Sequence, residues 1–496
     1  MYAFSQTVIG FSHIQSNRAC EDCSDSYTDS DGRYYIAAVA DGHGDKRCFR
    51  SAFGSKTAVD TAIKNLKAFA DVNLSCENSG ADNIDSLCND PRFRQTSIKQ
   101  LTDCILAEWS DRVINDYQTN PPSTEEIGDA FDDSSFKDNI PHIYGTTLIA
   151  ALMLSECLII IHQGDGRCDV FYDDGTVDQP VPWDKRCEGT STTSLCDTDA
   201  SVSFRSAVIN TSKKRVAACC MGSDGVEDAF RDTYEDLGGS HELMGGVHTF
   251  YKELLCDLAE SSAEDFKQHL GELLPEFSKI GSGDDVSVAG IVDLNAIKAL
   301  AEKYSRDVKV YNLDETLFQK QAELNSKKRK HELLQKRVID SEKKLNQLNA
   351  EYAKGEEEKS LAFQDLEKSN SAAEKAKARL EEFKADSDAE GIRLFFQKHF
   401  SLGNNETQLD NERRMLERQY QKLEDEKQKS AVRLRDLIEN QKKLAAEITA
   451  AKAVMEKAKE EFSSFDAVFR SLESDIMEIT KQKSQPNSEV TPKSEE

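Results

Sequence analysis

Residues 34–44 read Tyr-Tyr-Ile-Ala-Ala-Val-Ala-Asp-Gly-His-Gly, a short apolar run that ends in an acidic turn flanked by glycine. A run of this length bounded by Asp-Gly predicts a strand over Tyr34–Ala40. The same device recurs along the chain. Cys157–Gln163 ends in Gly164-Asp165-Gly166-Arg167, and Arg215–Met221 ends in Gly222-Ser223-Asp224-Gly225. The apolar run Val286–Val292 begins after Gly281-Ser282-Gly283-Asp284-Asp285, and Glu21-Asp22 adds an earlier acidic pair without glycine. One Asp-Gly is ordinary turn chemistry. Four strand edges carrying it would bring several carboxylates into one cleft if those edges converge. Such a cluster needs cations to neutralise it. Oxygen ligands in that number favour Mg²⁺ or Mn²⁺ over zinc.

Further strands are predicted over Thr146–Leu154, Cys157–His162 and Asp169–Tyr172, and helices over Ser51–Phe69, Ser97–Tyr117 and His248–Leu258. Strands interspersed with helices predict an α+β or layered α/β/α domain. Asp71–Pro91, Gln118–Pro141 and Asp173–Ala200 are polar and turn-rich and read as loops or insertions.

Taken in order, Asp22, DGHG at 41–44, GTT at 145–147, GDGR at 164–167, SDGVED at 223–228 and GDDVSV at 283–288 resemble the metal-dependent Ser/Thr protein phosphatases of type 2C. The entrance from Ser12-His13 to Asp22 is most similar to the bacterial branch. The resemblance covers residues 6–292. It implies a four-layer α/β/β/α sandwich with two Mg²⁺ or Mn²⁺ ions at one end. Asp22 and Asp41, with the Gly42 carbonyl, match ligands of the binuclear centre. Asp224 and Asp284 match further metal acids, and Asp165 matches an acid associated with a third metal in some members. His43 matches the acid to the leaving oxygen. The implied reaction is hydrolysis of phosphoserine and phosphothreonine on proteins by a metal-bound water, so no Ser or Cys nucleophile is needed. Arg18 lies four residues before Asp22 where the family's phosphate-gripping Arg lies five before; Arg18 and Arg50 are the candidates for that role, with Lys46 and Arg47 as the alternative source of charge. Two further departures are GDGR for the usual GDSR, and Glu227 for the usual Trp. Asp173–Ala200 is the candidate for a substrate-selecting flap.

Composition breaks near Asp293. Residues 1–293 carry a net charge of −26, all 13 Cys and 22 of the 25 Gly, whereas residues 294–496 carry −1. No Pro falls between Pro275 and Pro486. After an expected linker at 294–312, heptad series run from Leu317 to Leu380 and Leu313 to Phe383, then from Leu409 to Ile479 and Arg413 to Ile476. A sustained period of seven predicts an all-α coiled coil over 313–484. Equal arms about a Gly/Asn-containing break predict an antiparallel hairpin with its tip near 387–407; two consecutive dimeric coiled coils are the alternative. Residues 485–496 read as a disordered tail.

The chain's −27 charge argues against phosphate-neutralising nucleic-acid binding. No apolar run reaches the roughly 18 residues of a membrane helix. No signal peptide is visible, and an odd, irregularly spaced set of Cys reads as reduced thiols. The expectation is a cytoplasmic phosphatase acting on a phosphoprotein, with a coiled-coil arm that binds a protein partner or self-associates. The alternative is a catalytically weak phosphoprotein-binding or scaffold protein working through its coiled coil.

Overall fold

Ten strands are present in the computed structural model, which describes residues 1–74, 80–127, 139–187, 191–230, 245–398 and 406–484. They are β1 (Tyr2–Val8), β2 (Cys23–Thr28), β3 (Tyr35–Ala40), β4 (Leu148–Met153), β5 (Cys157–Gln163), β6 (Arg167–Tyr172), β7 (Val177–Asp178), β8 (Arg205–Asn210), β9 (Val216–Gly222) and β10 (Val286–Val292). They form two five-stranded antiparallel sheets, ordered β1-β10-β9-β6-β7 and β2-β3-β4-β5-β8. The apolar runs do not alternate with polar residues because both faces of the inner strands are buried. Ile36, Ala38 and Ala40 of β3 pack outward against helices, whereas Ala37 and Val39 pack inward. The inward set, with Ile149, Leu158 and Ile160, meets Val170, Cys219, Met221 and Ile291 of the other sheet.

Each sheet has a helical cover. Helices Ser51–Leu74 and Pro91–Thr119 lie on one, joined to it through Ala58, Leu66, Ile105 and Trp109. Gly245–Glu260 and Ala263–Ile280 lie on the other through Leu254, Leu255, Phe266 and Leu274. The result is the expected four-layer sandwich. Part of the expected Asp71–Pro91 loop is helical: Gly80–Asn89 buries Ile84 and Leu87.

The stretch 294–312, expected as a linker, is the start of the helix Leu294–Lys398. Asp293 caps it, its Oδ1 accepting from the amides of Asn295 and Ala296 at 3.1 and 3.3 Å. Ala296, Ile297, Leu300 and Tyr304 form one buried stripe. The compact unit accordingly extends to Asp314.

The second unit, Glu315–Glu496, holds the rest of that helix and the helix Glu406–Ser484. Its helices run antiparallel. Lys320 pairs with Asp475 at 2.7 Å, His331 with Asp466 at 2.7 Å, Arg337 with Glu461 at 2.9 Å and Glu342 with Lys459 at 2.6 Å. The Gln441 amide donates to the Tyr352 carbonyl at 3.0 Å, and a Cβ at Gly355 would come within 2.1 Å of that amide nitrogen. Gly355 therefore makes room for a polar rung in the seam. The residues most buried in this unit, among them Leu334, Ala362, Ala373, Leu380, Gln441, Ala458 and Leu472, all fall in the expected heptad series. The side chains around the expected tip, including Phe395 and Phe396, and the tail 485–496 lie outside the described residues. Among the described residues no helix is long and apolar enough to cross a membrane.

Candidate metal centre

Antiparallel pairing decides where the acids meet. Cys23 at the start of β2 pairs with Ala40 at the end of β3, which places Asp22 and Asp41 at one edge. Leu148 pairs with Gln163, so β5 ends at that edge too, just before Asp165. In the other sheet Gly222 pairs with both Arg167 and Val288, so Asp224 follows β9 where β6 and β10 begin. The loops carrying Asp22, Asp41, Asp165, Asp224 and Asp284 thus gather at one end of the sandwich.

Their mutual electrostatics show how closely they gather. The carboxyls of Asp41 and Asp224 lie within hydrogen-bonding reach of each other. Burial pushes Asp22 well above the usual carboxylate range, and Asp224 and Asp285 push it further. Asp41 is raised in the same way by burial, Asp224 and Asp22. Asp224 is pushed up to about 7, mainly by burial, with Asp165, Asp284 and Asp228 adding to it. Asp165 is raised chiefly by burial, and Thr192 of the 173–200 segment is within hydrogen-bonding reach of it. The Asp22 Oδ2 atom is buried with no hydrogen-bond partner in the protein. An orphaned buried carboxylate oxygen beside further buried acids is what a hard divalent cation fits. Asp284, with its side chain 53% exposed, lies on the open side.

The backbone around Asp41 is clamped. Its amide donates to Thr147 Oγ1 at 2.9 Å, and its carbonyl accepts from Thr146 Oγ1 and the Thr147 amide. A Cβ at Gly42 would lie 2.4 Å from the Glu21 carbonyl, so only glycine lets the two acidic loops approach. Asp285 holds the remaining loop. It accepts from the amides of Gly10 and Glu21, each at 2.6 Å, and its Oδ1 lies 3.0 Å from Nδ1 of buried His13. Asp285 is a strut, and His13, Asp284 and Asp285 sit close enough to share an ion.

His43 donates its amide to the Gly145 carbonyl at 3.1 Å. Burial, with His142 nearby, pushes its imidazole down to about 4. Arg18 stays at the rim, donating from Nη2 to Glu21 Oε2 at 2.7 Å and to the Gly44 carbonyl at 3.2 Å. The structure sends Arg50 elsewhere. Its guanidinium donates to Asp116 at 3.0 Å, to the Asn120 carbonyl at 2.7 Å, to Tyr144 at 3.1 Å and to Glu126 at 3.0 Å. A guanidinium spent on four partners has nothing left for a phosphate.

Asp228 was absent from the expected ligands and is a further acid at this end of the sandwich. Burial raises it first, then Asp165 and Asp284. The signal was its spacing, one helical turn after Asp224. The thiols stay out of this chemistry: the twelve described Cys are free, and burial pushes Cys23 up to about 11.

Comparison with known proteins fits this geometry. The family model for protein phosphatase 2C matches residues 9–275, more than half of the chain. Similar solved structures include a bacterial serine phosphatase at 16% identity, covering 59% of this chain and 97% of its own, with a TM-score of 0.33. Another is the serine/threonine phosphatase Stp1 from Staphylococcus aureus, at 17% identity, 59% and 95% coverage, and a TM-score of 0.33. A third is the catalytic domain of the serine/threonine protein phosphatase PstP in complex with two manganese ions, at 15% identity, 59% and 98% coverage, and a TM-score of 0.31. No curated protein matches the chain. On the family match, the chain belongs to the protein phosphatase 2C family and is a protein serine/threonine phosphatase.

Proposed function

We propose that the chain hydrolyses phosphoserine and phosphothreonine on proteins using two Mg²⁺ or Mn²⁺ ions, with Asp165 and Asp228 available to a third. The observation that carries this reading is the convergence of Asp22, Asp41, Asp224 and Asp228, each pushed up by burial and by neighbouring acids at this end of the sandwich. Asp22, Asp41, the Gly42 carbonyl, Asp224 and Asp284 would hold the pair. When bound, the cations acidify water and neutralise the phosphoryl oxygens.

The chain's own residues do the rest. Thr146 and Thr147 keep the Asp41 backbone in place, and Asp285 fixes the loop that presents Asp284. Arg18 is the cation at the rim able to turn from Glu21 to a phosphoryl oxygen. His43 is neutral at pH 7 in the resting site, since its imidazole is pushed down to about 4. A phosphoryl dianion alongside would raise its proton affinity. The proton it then holds is the one passed to the departing Ser or Thr oxygen. Thr192 brings the 173–200 segment to Asp165, which supports that segment as the substrate flap. The helical hairpin would act as a coiled-coil arm that targets the enzyme to a protein partner or assembles it with itself. Free thiols throughout the described residues suit a cytoplasmic setting.

The test is turnover of a phosphothreonine peptide by the purified chain with and without Mn²⁺. Release of phosphate only with the cation supports the reading. Equal release in excess chelator, or none under any condition, defeats it.

A further inference from the structure

Arg167 is buried beside the acidic cluster, with 5% of its surface exposed. It follows Asp165 by two residues. Its Nη2 donates to Glu227 Oε1 at 2.6 Å, and its Nε meets the other carboxylate oxygen. Glu227 immediately precedes Asp228 and lies three residues after Asp224. Trp183, from the 173–200 segment, covers the pair, with its ring centre 3.8 Å from the guanidinium carbon. A buried cation therefore stands among the carboxylates that would hold metal, tied down by an acid that is not one of them.

We propose that Glu227 holds the Arg167 guanidinium out of the carboxylate cluster, so that the protein's own cation does not compete with the metals, while Trp183 keeps water from the pair. The inference rests on the metal-dependent reading above. Asp165 lies two residues before Arg167, and Asp228 immediately follows Glu227, so both acids flank the pair. They are acids of the cluster to which the guanidinium would turn if Glu227 is neutralised. Removing one partner of a buried ion pair leaves a charge that must find another. A guanidinium takes a carboxylate through two parallel hydrogen bonds, which uses the oxygens a cation needs. Arg167 and Glu227 are thus positioning residues, neutral as a pair.

The test is Mn²⁺ binding by titration calorimetry, with melting followed in parallel. Glu227→Gln should weaken Mn²⁺ binding by about tenfold or more, the range for loss of a partner just outside a metal site. Arg167→Gln with Glu227→Gln should bring affinity back to within about threefold of wild type, because the competitor is gone. A purely structural role predicts the opposite, a double variant that binds as weakly as the single one or more weakly. That result would overturn the proposal, as would wild-type affinity in Glu227→Gln. Should Glu227→Gln fail to fold, Arg167→Gln decides alone: binding at least as tight as wild type supports the proposal, and weakened binding overturns it. A wild-type chain that binds no Mn²⁺ overturns the metal reading and this inference with it. Wild-type binding with unaffected variants overturns only the inference.

Discussion

Asp41, at the end of β3, and Asp224, just past the end of β9, bring their carboxyls within hydrogen-bonding reach although the two strands belong to different sheets. Without cations, such a contact survives only if a proton is shared. Asp41→Asn should remove that repulsion. The variant should lose Mn²⁺-dependent turnover completely while its metal-free melting temperature stays level or rises. Asp284→Asn should also lose turnover. Wild-type turnover in either variant would refute the ligand assignment.

The same contact makes metal-free stability depend on pH. Asp22, Asp41 and Asp224 bind protons more tightly folded than unfolded, so the folded state holds more protons. Their contribution is full below the unfolded value of about 4 and is lost as pH rises through their raised folded values, about 7 for Asp224. Asp29, which Arg33 holds at about 2, acts only below this window. In chelator, the chain should melt at higher temperature at about pH 5.5 than at about pH 8. Saturating Mn²⁺ should flatten the difference. A metal-free chain more stable at the higher pH would contradict the coupling.

Chelation and alkylation should separate cleanly. Burial pushes Cys48 up to about 12 and Cys196 up to about 11, so neither thiol is an available nucleophile. EDTA should abolish activity and added Mn²⁺ restore it, whereas mild iodoacetamide should leave most activity. Complete loss on alkylating one Cys of a folded chain would point to a thiol mechanism.

Arg18 and Arg50 should fail in different ways. Arg50→Ala breaks a half-buried set of contacts to Asp116, Glu126 and Tyr144 and should cost about 1–2 kcal/mol of stability with little change in KM. Arg18→Ala should raise KM and leave the melting temperature nearly unchanged. A raised KM in the Arg50 variant alone would reverse the assignment.

The hairpin can be measured directly. Spin labels at Leu317 and Ile479 should report backbones on the order of 10 Å apart within one chain. A separation on the order of 240 Å, that of one continuous rod, would sink the geometry.

The six strands predicted from apolar runs are β3, β4, β5, β6, β9 and β10, the interior strands of the two sheets. The four that were missed, β1, β2, β7 and β8, are the four edges. An edge strand such as Cys-Ser-Asp-Ser-Tyr-Thr at 23–28 keeps one side near solvent and needs no apolar run, so its pairing is decided by its neighbour. The convergence of the acidic loops was legible because each of the expected acids hangs on a strand end beside a turn. Arg50 was misassigned for the opposite reason: its partners Asp116, Glu126 and Tyr144 come from distant segments, and nothing local announces them. The start of the long helix was read as linker because its buried stripe is short and its cap, Asp293, also ends a strand's charge pattern.

Asp22 and Asp41 hang from one sheet, Asp224 and Asp284 from the other, and Asp165 from the turn that crosses between them. Any cation held by both sets is therefore a rivet through the sandwich as well as a reagent. Its binding energy adds to the closure of that end, in proportion to how far the free cation exceeds its dissociation constant. Draining the cations should consequently open the molecule from one side, with amide exchange quickening first in the loops at 41–44, 164–167 and 223–228 while the centre of β4 and β5 stays protected.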